Sequence, residues 1–491
     1  MESVHGSEAS RINGSPVGTP GDAEPNLNYD TGSFRDRSSR VFLRSGEVYR
    51  ALMPVAQADW LRVSQQPFFQ QLLSDCSVIR TRELSADEAA RFDLSSSIAA
   101  VLHHDRIPFV TYPYEWSFSM LRTAALLHLE ILTKAIEAGS ILKDSSPYNV
   151  QFRGTKPVFI DIGSFVTHGE NEPWTGYRQF CELMLFPLLL QAYKQIDLQP
   201  VLRTRLDGIS AKEFLRHLSW RDRFRPGVFT HGWLQSLLER QTSSSQADTV
   251  GGLKSSGFDR RLIQQNLRKL TTLLQQLKWQ PDTTQWSHYR HELPHVVQDL
   301  EVKSSFVRQV CEKYRRSLVW DLGCNDGHFS RIAAEHADDV IAMDQDHGCV
   351  ERLYLELAAN AATPQNIVPL RIDLLNPSPA QGWRGRERSR LEDRGRPDLI
   401  LCLGLIHHLV IAGNIPLPEV VDWLASLQSE VIIEFPSKQD PMVRSLLRNK
   451  VDQYDDYSLP ALEAALQQTG LKIQNRAALP SGERTLLYVS P

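Results

Sequence analysis

Apolar residues in this 491-residue chain fall into two rhythms. In the last third, short unbroken runs recur: Val319-Trp320, Val340-Ile341-Ala342-Met343, Ile367-Val368-Pro369-Leu370, Leu399-Ile400-Leu401-Cys402-Leu403 and Val431-Ile432-Ile433. Runs of that length without polar alternation predict strands covered on both faces, as in a parallel sheet. Between and after them, residues 329–334, 418–427 and 459–469 carry helical spacing, and 471–478 with 485–489 predict a closing hairpin around Pro480-Ser481-Gly482. That order predicts an α/β, Rossmann-like, doubly wound sheet finished by an antiparallel strand. The first half is mixed, and an α+β region is expected there. Residues 41–49 suggest a hairpin with one glycine, 77–82 a strand, 107–115 a strand and hinge, and 118–138 a long apolar-periodic helix. Residues 260–277 place leucines and an isoleucine at three- and four-residue intervals, as in a core or interface helix.

The predicted strands end in acids. The first runs into Asp321-Leu322-Gly323-Cys324-Asn325-Asp326-Gly327, a glycine-bracketed turn before a helix, where main-chain amides can approach a nucleotide-like ligand closely. The second ends at Asp344, where a carboxylate can accept both hydroxyls of a ribose, and the third at Asp373, placed for an adenine edge. A dinucleotide site wants G-x-G-x-x-G, whose second glycine makes room for a pyrophosphate, and here that position is Asn325. Three acids suit a ligand with ribose, adenine and a positive charge, and suit a pyrophosphate poorly. S-adenosylmethionine fits that description.

These motifs, together with Leu405-Ile406-His407-His408-Leu409, resemble those of class I S-adenosylmethionine-dependent methyltransferases, over residues 306–491. The resemblance implies that Gly323 and Gly327 line the methionine part, Asp344 holds the ribose and Asp373 sits near the adenine. Asp321 and Asn325 belong to the same cofactor motif, with Asn325 where the family usually has a third glycine. It implies no metal in this domain. Methyl transfer needs a nucleophile aligned with the departing sulfur, and a neutral oxygen nucleophile also needs a base. His407 and His408 are the nearest histidines to the predicted methyl; alternatively, one packs under the sheet and the other caps the next helix. Glu434, at the end of the fifth strand, shapes the acceptor pocket or bonds a neighbouring loop. The Asn/Asp-Pro-Pro-aromatic and Pro-Cys signatures of nucleic-acid base methyltransferases are absent after the fourth strand.

In the first half, Asp144-Ser145-Ser146-Pro147-Tyr148-Asn149 followed by Asp161-Ile162-Gly163 resembles the catalytic loop and metal motif of protein-kinase-like and aminoglycoside-phosphotransferase-like folds. By that resemblance Asp144 would take the acceptor proton, and Asn149 and Asp161 would hold magnesium against ATP phosphates. The chain departs from the pattern in three ways: Leu142 stands where a histidine is usual, no glycine-rich loop precedes it, and the 77–82 strand offers arginines but no lysine. An active phosphotransferase with an accessory methyltransferase-like domain, a kinase-shaped domain that transfers nothing, and a chance likeness all remain open.

Composition limits the partners. A formal charge of −4 argues against general nucleic-acid or membrane-surface binding. Six cysteines without a C-x-x-C pair fit reduced thiols in a cytoplasm, no leader is recognisable, and the longest apolar run, 183–192, is too short for a membrane span. The arginine-dense stretch 384–396 is interrupted by acids and is expected as a solvated loop or a phosphate contact. The expected layout is a disordered tail to residue 34, a kinase-like region over 35–240, a linker (241–257) and lead-in helices to 305, and the methyltransferase-like domain from 306. Trp286, Tyr289 and Lys303 in the lead-in would pass over the cofactor mouth. This order resembles the bacterial nodulation-type methyltransferases, which implies a saccharide or other small-molecule acceptor.

Overall fold

A computed structural model of the chain describes residues 27–233 except 28, 170 and 171, residues 260–282, and residues 295–491 except 361 and 449. The expected linker, Trp286 and Tyr289 lie outside the described residues.

The C-terminal sheet contains β9 (Arg316–Leu322), β10 (Ala337–Asp344), β11 (Ile367–Arg371), β12 (Leu399–Cys402), β13 (Glu430–Pro436), β14 (Lys472–Ala478) and β15 (Arg484–Ser490). Their order is β11-β10-β9-β12-β13-β15-β14, with β9 to β13 parallel and β15 antiparallel to both its neighbours. This is a Rossmann-like doubly wound sheet finished by an antiparallel hairpin. Its parallel strands are apolar throughout because both faces are covered, and successive residues serve different cores. Val319, Leu401 and Ile432 pack with Phe306, Val307 and Val310 of the helix His295–Cys311. Leu318, Trp320, Ile400 and Ile433 face the other way and join the core of the N-terminal half.

That second face explains the arginine-dense stretch. The connection from β11 to β12 crosses it with only two short 3-10 turns, Trp383–Gly385 and Leu391–Asp393. The N-terminal segment 106–116 packs in the space beside them: Phe109 meets Trp320 edge to face at 5.9 Å, and a Cβ on Gly395 would come within 3.1 Å of the Pro108 carbonyl. Arg394 is buried and forms a two-pronged pair with Glu115, both contacts 2.6 Å, while Ser378 donates to the same carboxylate at 2.5 Å. Arg388 lies 3.9 Å over the Tyr148 ring. The expectation of a solvated loop is therefore overturned at Arg388 and Arg394. Arg394 finds its counter-charge in Glu115 and Arg388 its ring in Tyr148, each more than two hundred residues away, which local composition cannot reveal.

The N-terminal half is α+β. Strands β1 (Ser39–Arg44), β2 (Glu47–Leu52), β3 (Thr81–Glu83) and β4 (Ala100–His104) form an antiparallel sheet ordered β1-β2-β4-β3. The β1–β2 turn uses Ser45 and Gly46 at φ +53° and +83°, the left-handed pair that suits a tight hairpin. A long helix, Phe118–Glu137, runs through the core, followed by β5 (Ser140–Leu142), β6 (Val150–Arg153), β7 (Lys156–Phe159) and β8 (Phe165–Thr167), which pair as β5–β8 and β6–β7. The strand expected at 77–82 shrinks to β3. The segment 107–115 makes no strand: two prolines deny it ladder hydrogen bonds, and its apolar residues pack across the interface instead. The helix Arg260–Gln276 buries Ile263, Leu267, Leu270 and Leu274, and Leu277 just beyond it accepts from Arg122, so it belongs to the N-terminal core. Within the tail expected to reach residue 34, Tyr29 bridges to Phe42, and residues 1–26 lie outside the described residues. Among the described residues, no helix is long and apolar enough to cross a membrane.

Candidate cofactor-binding and active site

β9 gives way to the helix His328–Ala334 across residues 323–327, a turn so tight that three of the five have left-handed backbones. Gly323, Asn325 and Gly327 stand at φ +77°, +50° and +73°. At Gly327 an added Cβ would also lie 2.7 Å from Leu353, so glycine is required twice over. Asn325 is the side-chain-bearing residue that tolerates this region best, which explains how the loop keeps its shape without a third glycine. The amides of Gly323 and Cys324 donate to the Met343 carbonyl at 2.8 and 2.9 Å, pinning the loop to β10.

Asp344 ends β10 beside this loop. Its two carboxylate oxygens accept from the amides of Asn325 at 2.9 Å and Asp346 at 2.8 Å. A carboxylate offers roughly four acceptor positions, so capacity remains for a diol. Burial raises its pKa, which the amide bonds partly offset. Asp373 is exposed beyond β11 and accepts from the Leu375 amide at 2.9 Å. Asp321, expected in the same cofactor motif, is placed differently from Asp344. It lies under the loop, 2% exposed, accepting the Ser330 hydroxyl at 2.5 Å, and burial pushes its pKa up to about 7. From the interior of β9 this side chain braces the loop.

At the end of β12, Gly404 at φ +61° turns the chain into a wide helical turn, His408–Ala412, closed by a bond from the Gly413 amide to the His408 carbonyl at 2.9 Å. His407 is 1% exposed, and neither ring nitrogen has a hydrogen-bond partner among the described residues. Burial, reinforced by His408, Arg484 and Lys303, lowers its pKa well below the usual histidine range, so the ring is neutral. The less buried His408 ring is 4.2 Å away, and its pKa is lowered by burial and Arg484. Glu434 is 0% exposed between Lys303 Nζ at 2.8 Å and Arg484 Nη1 at 2.9 Å, and Arg484 also holds Asp440 at 2.7 Å. Burial alone would raise the Glu434 pKa, but the two cations bring it below the usual carboxylate range. Glu434, expected to shape the acceptor pocket or to bond a neighbouring loop, is the centre of a buried ionic network. Arg484 and Asp440 escaped sequence reading; the signal for Arg484 was its place at the start of β15, whose register sets it opposite Pro436 at the end of β13.

In the N-terminal half, Asp144, Asn149 and Asp161 flank the β6–β7 hairpin, but they do not make a metal site. Asp161 is paired with the guanidinium of Arg50 on β2 at 3.1 Å. The Asn149 carbonyl accepts from the Ile160 amide, and burial followed by the Asp161 charge raises the Asp144 pKa. Among the described residues no cluster of three or more histidine, cysteine, aspartate or glutamate side chains could hold a metal ion. The neighbouring cavity, bounded by Asp59, Lys143 and Gly163 among others, measures about 180 Å³, below the roughly 300–1,000 Å³ usual for small-molecule sites. The residues present do not fit a magnesium nucleotide.

No family model matches the chain. It is similar over its length to the nodulation protein NoeA of Rhizobium meliloti (strain 1021), with 32% identity over 467 residues, 94% of this chain and 96% of that protein. Two solved structures resemble part of the chain. The N-methyltransferase NodS from Bradyrhizobium japonicum WM9, in complex with S-adenosyl-L-homocysteine, shares 15% identity and covers 43% of this chain and 94% of its own, with a TM-score of 0.30. Magnesium protoporphyrin IX methyltransferase from Synechocystis PCC 6803, with bound S-adenosylmethionine, shares 17% identity and covers 42% and 91%, with a TM-score of 0.29. By its identity and coverage along both halves, the chain belongs to the family of the nodulation protein NoeA.

Proposed function

We propose that this chain is a methyltransferase that moves a methyl group from S-adenosylmethionine to a small-molecule or saccharide acceptor, with an oxygen as the accepting atom. The observation that carries the reading is the meeting of three features at the carboxyl ends of neighbouring strands: the left-handed 323–327 loop, the Asp344 carboxylate, and a buried histidine without a hydrogen-bond partner among the described residues. When bound, S-adenosylmethionine supplies a methyl carbon made electrophilic by its positively charged sulfur. Asp344 would accept from the ribose, Asp373 would lie by the adenine, and Gly323, Asn325 and Gly327 would let the main chain approach the methionine end. Asp321 supports the loop through Ser330. His407 accepts the proton of the acceptor hydroxyl on a ring nitrogen, which requires the neutral form that burial favours. His408 and the Lys303–Glu434–Arg484 network shape the acceptor side.

Residues 35–240 act in this reading as a kinase-shaped support and not as a phosphotransferase. The β5–β8 and β6–β7 pairs around the Asp144 loop support the kinase-like shape, and the Arg50–Asp161 pair argues against magnesium. Incubating the full chain with methyl-labelled S-adenosylmethionine and a panel of saccharides tests the function, with label appearing in an acceptor as the expected result. His407→Gln is expected to lower kcat by about 10²- to 10⁴-fold. The rate of the unsubstituted protein should fall with acid only well below pH 6.5, because protonation of His407 is what removes the base. A variant as active as the original would remove His407 from the chemistry.

A further inference from the structure

The cofactor-side strand ends are held from the N-terminal half by residues 197–203 and by the start of the helix Phe118–Glu137. Asp344 takes its position from the Asn325 and Asp346 amides, and Asp346 in turn caps the helix His347–Ala359, accepting from the Cys349 amide at 2.9 Å. The first residue of that helix, His347, faces away from the pocket. Its Nε2 accepts from the Phe118 amide at 3.1 Å, its Nδ1 lies 3.4 Å from an Asp197 oxygen, and the Gln199 amide group is 3.3 Å from Nε2. Arg371, the last residue of β11 and two before Asp373, points to the same place. One of its guanidinium nitrogens reaches Asp197 at 2.7 Å and Gln199 at 2.5 Å, while its Nε donates at 3.3 Å to the carbonyl of Gln345, the residue after Asp344. Gln199 is itself fixed by donating to the Trp116 carbonyl at 2.7 Å. Six residues further on from Asp197, Arg203 donates to Asn376 and Pro377 carbonyls beyond Asp373, at 3.0 and 2.8 Å.

Both strand tips assigned to the adenosine thus lean on a turn that is remote in sequence. An arginine this close to a ligand pocket needs a fixed counter-charge to stay in one rotamer, and Asp197 supplies it. We propose that Asp197 and Gln199 are positioning residues of the cofactor pocket: through Arg371 and His347 they fix the Gln345 carbonyl and the first turn after Asp346, and so the direction of the Asp344 carboxylate. The N-terminal half is then part of the binding machinery for the nucleoside. This inference rests on the reading of Asp344 as the ribose acceptor.

Calorimetry on the full chain with S-adenosylhomocysteine, paired with methyl-transfer kinetics, tests it. Asp197→Asn keeps the shape and removes the charge, and is expected to weaken binding about tenfold, the scale of a remote coupling. KM for S-adenosylmethionine should rise by the same factor, with kcat at saturation within about twofold, because the reacting end is untouched. Gln199→Ala, a milder change, should shift both quantities in the same direction, and serves if Asp197→Asn does not fold. Arg35→Ala breaks another contact between the halves, the Arg35–Glu387 pair, and should leave affinity unchanged. Equal binding by the Asp197 and Gln199 variants and the original protein overturns the inference alone. Equal weakening by Arg35→Ala also overturns it, since any loosening of the interface would then suffice. Absence of binding by the unsubstituted protein takes down the inference together with the function on which it rests.

Discussion

Asparagine at position 325 sits at φ +50°, between two glycines that share its handedness. The motif and the missing glycine were both plain in the sequence; that asparagine takes the glycine conformation is a property of the backbone and could not be read from spacing. Asn325→Gly should leave folding and S-adenosylmethionine affinity close to the original. Asn325→Val should cost about 1–2 kcal/mol and weaken binding, since a branched side chain resists left-handed backbone. Thermal melting with and without the cofactor separates the two effects, and a valine variant that melts and binds as the original does would contradict this account. Burial was the other property hidden at this scale. Asp321 and Asp344 occupy equivalent strand ends in the sequence, yet the former is enclosed against Ser330 and the latter faces the loop amides. Glu434 was legible as a strand-end acid, but its cations come from a helix before the sheet and from the last strand.

Elements with strong periodicity were legible: the five apolar strands, the 118–137 helix and the closing hairpin follow from patterns that hold wherever both faces or one stripe are covered. Segments whose form depends on a distant partner were not. Residues 107–115 read as a strand and the 384–396 stretch as a solvated loop, and each takes its real form only against the other. Their central contact is the Arg394–Glu115 pair, with side chains 1% exposed on both sides. Removing one partner leaves the other charge buried and alone, which costs about 3–5 kcal/mol. Arg394→Met is therefore expected to lower the midpoint of chemical denaturation by a corresponding amount. A loss below about 1 kcal/mol, the value of an exposed pair, would show that the two segments do not depend on each other.

At the level of the whole molecule, the two halves share one hydrophobic core, and the N-terminal half covers a face of the C-terminal sheet with Phe109. The relative NoeA aligns along both halves, in keeping with a unit whose parts are not interchangeable modules. The kinase-like motif belongs to this picture as well: its acids are recognisable in the sequence, but the Arg50 that disarms Asp161 lies on a strand ninety or more positions upstream, out of reach of motif reading. The claim on which the rest depends is that the carboxyl ends of β9 and β10 hold a sulfonium nucleoside. Isothermal calorimetry of the full chain with S-adenosylmethionine and with S-adenosylhomocysteine tests it most directly. Saturable one-to-one binding of both, abolished by Asp344→Ala in protein that remains folded, is the predicted result; no binding by the unsubstituted chain, or binding indifferent to Asp344, would contradict it.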